Sequence, residues 1–218
     1  MEQYARSVGL ARSVRPALAS PGSRATNFAV GAARAYDDGV NFNLTRQVDT
    51  FLLRSGGAVG LLNELIRTGQ TKEALEGADR VAHLFASRPA PEGLAFFATY
   101  GMARRRNDDL VGAALCYEIA IMIASASRDT TENVGVVYDN LATVRRLQQR
   151  FDDAATTSDR ALAIFEQRLG ARHGTYGVTL NNRALIHLDA GNVPLALEYS
   201  ERALTVLREA LIGDKAGL

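Results

Sequence analysis

Apolar side chains recur three and four positions apart along most of this chain, in runs broken by short polar or glycine-containing stretches. That spacing puts them on one side of a helix. Helices are expected from Arg24 to Tyr36, from about Thr45 (an N-cap) to the Gly56-Gly57 stop, from Val59 to Thr68 and from Lys72 to Ala86. Leu94 to Arg106 and Leu110 to Ser125 form the next pair, and two further pairs follow, the last segment running from Pro194 to about Ile212. Asp37-Asp38-Gly39, Gly69-Gln70 and Arg88-Pro89-Ala90-Pro91-Glu92-Gly93 are the breaks; the prolines cannot continue a helix, so the last of these is expected to be a small hinge.

The pattern repeats. Asn140, Ala142, Ala154, Ser158, Arg160, Ala161 and Leu162 stand 42 residues before Asn182, Ala184, Ala196, Ser200, Arg202, Ala203 and Leu204. A constant period of this size marks stacked supersecondary units. Each unit pairs two amphipathic segments around a polar turn, Gln148-Gln149-Arg150 in one and Asp189-Ala190-Gly191-Asn192 in the other. The repeated alanines fall where two helices must cross closely, since a larger side chain would hold the backbones apart. Gly69 precedes Ala74 as Gly191 precedes Ala196, and Gly101, Ala113 and Ala120 take the small positions of the pair between, with one residue of slippage. One hairpin cannot bury its apolar face alone; a stack can.

From about residue 131 to 212 the arrangement resembles the tetratricopeptide repeat, and more specifically the kinesin-light-chain type. Arg160-Ala161-Leu162-Ala163-Ile164, Glu166, Leu169-Gly170, His173, Thr179-Leu180-Asn181-Asn182 and Ala184 carry the resemblance. Gly174 and Arg183 depart from it, standing where that family usually has Pro and Leu. The implied fold is all-α, a right-handed solenoid of stacked antiparallel hairpins. Its parts are an arm over 1–23, poorly ordered or marginally helical, and a divergent helical pair over 24–56. Repeats within 57–212 then cover 57–88, 93–128, 131–170 and 174–212, before a tail over 213–218.

Composition narrows the class of function. A net charge of +1 supplies no overall field for nucleic acid or anionic lipid. Of the 25 basic residues only Lys72 and Lys215 are lysine, which with the many alanines suggests a GC-rich, bacterial source. The same preference explains the arginines of the arm, which otherwise resembles a transit peptide; there is no secretory apolar core, and Asn43-Leu44-Thr45 is a glycosylation sequon by spelling only. Cys116 is alone, so no internal disulfide or cysteine-based metal cluster can form, and a cytoplasmic setting is expected. No apolar run is expected to reach the length of a membrane span.

No catalytic constellation is present. Gly56-Gly57-Ala58-Val59-Gly60 lacks the Lys-Ser/Thr sequel of a phosphate loop, and no G-x-S-x-G or H-E-x-x-H occurs. His83, His173 and His187 lie on separate elements; His187 is expected to be a satisfied packing residue and His173 to fix a turn. The doublets Asp108-Asp109 and Asp152-Asp153 suit helix starts, and Cys116 is expected to be buried and inert. Arg104-Arg105-Arg106 is either a solvated helix end or a contact for an acidic peptide. Neither cofactor, metal nor catalysis is expected.

What the resemblance implies instead is a groove lined by the first helix of each pair. Carried over by position, it holds Thr99, Met102 and Arg105, then Asp139, Asn140, Thr143 and Arg146, then Asn181, Asn182, Leu185 and Asp189. Asn140 and Asn182 stand where that family grips a peptide backbone, and an amide offers donors and acceptors together; bracing of the adjacent helix is the other reading. The carboxylate clamp of some relatives is not assembled, because Ala98 takes its lysine position. The expected function is therefore a non-enzymatic module that binds a peptide or partner helix, or alternatively the ligand-sensing repeat portion of a bacterial signalling or transcription regulator. A protein partner is expected, nucleic acid and membrane are not. The apolar surface of the last segment, with Leu204, Leu207 and Leu211, exceeds what one inner helix can cover. It is expected to be buried by self-association, most simply as a two-fold dimer; a docked partner or a longer native chain would also cover it.

Overall fold

The computed structural model describes residues 57–86 and 92–216. The expected arm, the divergent pair, the sequon and most of the hinge lie outside the described residues. Eight helices follow in order: α1 Gly57–Arg67, α2 Thr71–Ala86, α3 Glu92–Arg106, α4 Leu110–Ser127, α5 Glu132–Leu147, α6 Phe151–Leu169, α7 Gly174–Asp189 and α8 Val193–Ala216. Among the described residues there is no strand. The chain divides into two compact units, Met1–Asp129 and Thr130–Leu218. Glu92 and Gly93, expected in the break, instead open α3.

One turn design closes each of the four described hairpins. At the ends of α1, α3, α5 and α7 the pivot residues Gly69, Asp108, Gln149 and Gly191 have φ of 81°, 58°, 61° and 79°. In each case the next N–H reaches back five residues: Gln70 to Leu65 (2.8 Å), Asp109 to Arg104 (3.0 Å), Arg150 to Arg145 (2.9 Å) and Asn192 to His187 (2.8 Å). The left-handed pivot thus returns bonding partners to carbonyls that a helix end would leave bare. Four residues on, an alanine makes the first bond of the second helix: Ala74, Ala113, Ala154 and Ala196. All four are buried. The turn therefore fixes which residue sits at the crossing.

In the first unit α1 packs on α2 and α3, and α3 on α4. Phe85 stacks on Phe96 with ring centroids 4.1 Å apart, Phe97 and Tyr100 pack on Phe96, and Tyr117 is fully buried in the same unit. Gly101 is required here, because a Cβ would stand 2.8 Å from the Tyr117 ring. Leu110–Ser127, with Glu118 its one charged residue, is long and apolar enough by composition to cross a membrane, so the expectation that no run has that length fails. More than half of it is buried inside the protein, which accounts for its apolar character.

In the second unit each hairpin closes on itself, and α7 packs against both α6 and α5. Ala161, Phe165, Tyr176, Leu180 and Ala203 form one core cluster, with Leu162 and Leu169 against it; Ala142, Ala154 and Ile186 form another, with Phe151 and Ala155. The repeat reaches into the packing. A Cβ on Gly135 would lie 2.7 Å from the Phe165 ring, and one on Gly177, 42 residues later, would lie 2.9 Å from Leu207 Cγ. Leu207 is accordingly half-buried inside its own hairpin, which corrects its placement on an open edge.

Candidate functional site

The outward side of the first helices in the second unit is a mixed stripe, repeated at the period of the sequence. On α5 it reads Val136, Asn140, Thr143, Leu147; on α7 it reads Val178, Asn182, Leu185, Asp189. Three- and four-residue spacing keeps each set on one helix side. Val136, Leu147, Val178 and Leu185 are all exposed, between 37% and 49%. Sequence reasoning missed the first three, although the Val136–Val178 match at 42 residues was available to it. Leu188, also exposed, flanks the stripe of α7.

Asp139 and Arg146 flank the stripe of α5 and reach across to that of α7. Asn182 Nδ2 donates to Asp139 Oδ2 at 2.8 Å, and Arg146 pairs with Asp189. Both links join residues 43 apart in sequence, and they lie seven residues, two helical turns, from one another. Thr143 turns its hydroxyl to the Asp139 carbonyl of its own helix (3.1 Å). Asn182 therefore braces the adjacent helix, while Asn140 is half-buried and Asn181 exposed.

Asp139 is the electrostatic centre of this face. Its Oδ1 is buried and makes no hydrogen bond. Burial pushes its carboxyl above the ordinary range, and the Asn182 bond and the nearby Thr179 hydroxyl oppose that shift only in part. Because Oδ1 is out of reach of solvent, the carboxyl braces α5 against α7 and is not open to an incoming donor.

The equivalent residues of the first unit behave differently. Thr99 is buried, its hydroxyl bonded to the Ala95 carbonyl at 2.9 Å, because it lies on the Phe96–Ala103 side of α3; it is not a groove residue. Met102 and Arg105 are half-buried. The arginine run is not a solvated helix end. Arg104 holds Asp79 (2.8 Å) and Asp109 (2.5 Å) and lies over the Tyr100 ring, and Arg106 donates to the Ile66 carbonyl at 3.1 Å. These bonds lock α3 to α1, α2 and the turn before α4. Arg105 lies near Tyr117, whose phenol burial pushes up to about 12.

The remaining candidates are structural. Cys116 is fully buried, with its thiol raised by desolvation. His173 Nδ1 accepts from Thr175 N–H at 3.2 Å and caps α7. Asp109 Oδ1 accepts from Gly112 N–H at 2.8 Å and caps α4, whereas Asp108 is the turn pivot and Asp153 pairs with Arg150 at 2.6 Å. His187 stacks on Tyr199 at 5.3 Å but leaves a buried Nε2 without a hydrogen bond, so it is a packing residue and not a satisfied one. Arg183, the departure from the family pattern, bonds the Ala155 carbonyl and Asp159 (3.2 Å) and ties α7 to α6. Among the described residues no cluster of three or more His, Cys, Asp or Glu could hold a metal ion.

Comparison with known proteins agrees with this geometry. Residues 133–209 match the tetratricopeptide repeat family model. No curated protein matches the chain. Among solved structures, the crystal structure of BtubC (BKLC) from P. vanneervenii is similar over 85% of this chain and 74% of its own, at 15% identity and a TM-score of 0.63; at that identity the likeness concerns the fold. Repeats of this family generally mediate protein–protein interactions. The hairpins over 133–209 are of the tetratricopeptide-repeat type.

Proposed function

We propose that the chain is a non-enzymatic binding module that takes a peptide or a partner helix on the face formed by α5 and α7. The observation that carries this reading is the exposed apolar stripe Val136, Leu147, Val178 and Leu185, repeated on the two helices at the period of the sequence. Beside it lie the half-buried polar side chains Asn140 and Thr143. The polar groups fix the register of a bound chain, and the apolar ones supply most of the affinity on leaving water. Arg146 and Asp189 already satisfy one another, so they frame the site and do not anchor the partner. Asn181, exposed on α7, is a secondary contact on this reading. A second copy of the chain, docked through α8, is the further partner we propose. The setting is the cytoplasm, and neither nucleic acid nor membrane is a partner.

Affinity capture with the full chain, read by mass spectrometry, identifies the partner; calorimetry with a peptide from it then tests the face. Val136→Ala with Asn140→Ala is expected to weaken binding by ~2 kcal/mol, about 1 for the lost hydrogen bond and 1 for apolar contact, with the helical signal unchanged. Unchanged affinity in the double variant would remove α5 from the site. Capture of a polymerase or of DNA would favour a transcription regulator instead.

A further inference from the structure

The outer side of α8 carries an apolar row that is not covered by the described residues. Val193, Leu197, Leu204 and Leu211 lie on one side of the helix, exposed by 48% to 64%. One repeat earlier the corresponding positions on α6 are Phe151, Ala155, Leu162 and Leu169, each 42 residues before. These are not bare. Leu162 and Leu169 pack against the cluster that contains Tyr176 and Leu180 of α7, and Phe151 and Ala155 against that of Ile186. The repeat carries its charge along as well: Asp159 on α6 receives Arg183 of α7, and the residue 42 positions after Asp159 is the exposed Glu201. The α8 row is thus built to receive an antiparallel amphipathic helix that brings an arginine to Glu201.

We propose that this helix is α8 of a second copy, packed antiparallel about a two-fold axis at Leu204. The row is symmetric about that residue. Leu197 and Leu211 stand seven positions to either side, so in an antiparallel pair Leu197 meets the partner's Leu211, and Leu204 meets its own counterpart. Glu201 and Arg208 stand three before and four after Leu204, so the same superposition sets each Glu201 against an Arg208 across the axis, twice. Neither side chain is in an ion pair among the described residues. A two-fold interface needs one self-complementary surface, and flanking charges of opposite sign select the antiparallel orientation. Arg208 then does for the partner's Glu201 what Arg183 does for Asp159 within one chain. This deepens the self-association proposed above and is independent of the α5–α7 face.

The test is light scattering and sedimentation on the full chain from roughly 1 to 100 µM, the range in which an interface of modest affinity fills. The wild type is expected to dimerise. Leu204→Glu, at an exposed position, is expected to be monomeric with an unchanged circular dichroism spectrum. Glu201→Arg and Arg208→Glu should each weaken the dimer by roughly tenfold, through lost attraction and new like-charge contacts. Mixing those two single variants in equal amounts should restore association, because one copy is then basic at both positions and the other acidic at both. A monomeric wild type overturns the proposal, whatever other protein occupies the row. So does a dimer that the charge changes leave intact, or one that mixing fails to restore. A wild type that dimerises as expected but binds no peptide would count against the α5–α7 reading alone.

Discussion

Asp139 braces two helices at a cost to the fold. Its carboxyl sits above the ordinary range because burial disfavours the charge more than Asn182 and Thr179 favour it. A carboxyl that binds its proton more tightly when folded than when unfolded contributes stability that is fully present below the ordinary carboxylate pKa, about 3.9. That contribution is lost as pH rises through the folded value. At neutral pH the folded protein therefore carries an unfavourable charge at this position. Asp139→Asn removes it while keeping an oxygen for the Asn182 amide, and one repeat later the same position is Asn181. The substitution is expected to raise the urea midpoint at pH 7, with the gain disappearing toward pH 3. An unchanged midpoint at pH 7 would mean that the buried charge costs the fold nothing.

At the scale of the elements, the four hairpin turns share one backbone but not one residue. Gly69 and Gly191 occupy the left-handed position without steric cost, whereas Asp108 and Gln149 have a Cβ there. Gln149→Gly is expected to stabilise the chain by about 1 kcal/mol, since relief of strain outweighs the extra freedom of the unfolded glycine. Gly191→Ala should cost a similar amount, and paired thermal melts read both. The contrast also explains what was legible in the sequence. Helix positions, the alanines at the crossings and the glycine pivots could be read directly, because periodicity and residue type encode them locally. Gln149 as a pivot could not, since glutamine carries no preference for that conformation. Arg104 looked like one of three solvent-facing cations because Asp79, 25 residues earlier, is invisible to local reading. The candidate face was half legible. The 42-residue alignment found Asn140 and Asn182, but contacts between first helices run at an offset of 43, so the pairing of Asn182 with Asp139 and of Arg146 with Asp189 escaped it. Thr99 was misplaced for a related reason: position in the repeat predicts the helix but not the one-residue rotation that turns its hydroxyl inward.

For the molecule as a whole, the second unit raises the question of how little of a repeat stack can fold. The two core clusters described above draw on side chains of α5 to α8, all within residues 130–218. Local contacts between neighbouring helices dominate such architectures, and stability is close to a sum over hairpins and the interfaces joining them. A chain of roughly 90 residues buries a modest fraction of its surface and has little reserve. Two features tip the balance toward folding. The Arg183 bridge to Ala155 and Asp159 links the two hairpins through a buried guanidinium, and Phe165 and Leu207 close tightly over Gly135 and Gly177. Residues 130–218 expressed alone are therefore expected to be helical by circular dichroism and to unfold in one cooperative transition. The exposed row of α8 adds a condition to this. If a second copy covers it, dissociation accompanies unfolding, and the melting midpoint of the fragment must rise with concentration. A midpoint that stays fixed over a hundredfold dilution, roughly 1 to 100 µM, would leave a folded unit with no dimer, because mass action permits no other outcome for coupled association. A broad, non-cooperative melt would instead show that these two hairpins need the first unit to hold their shape.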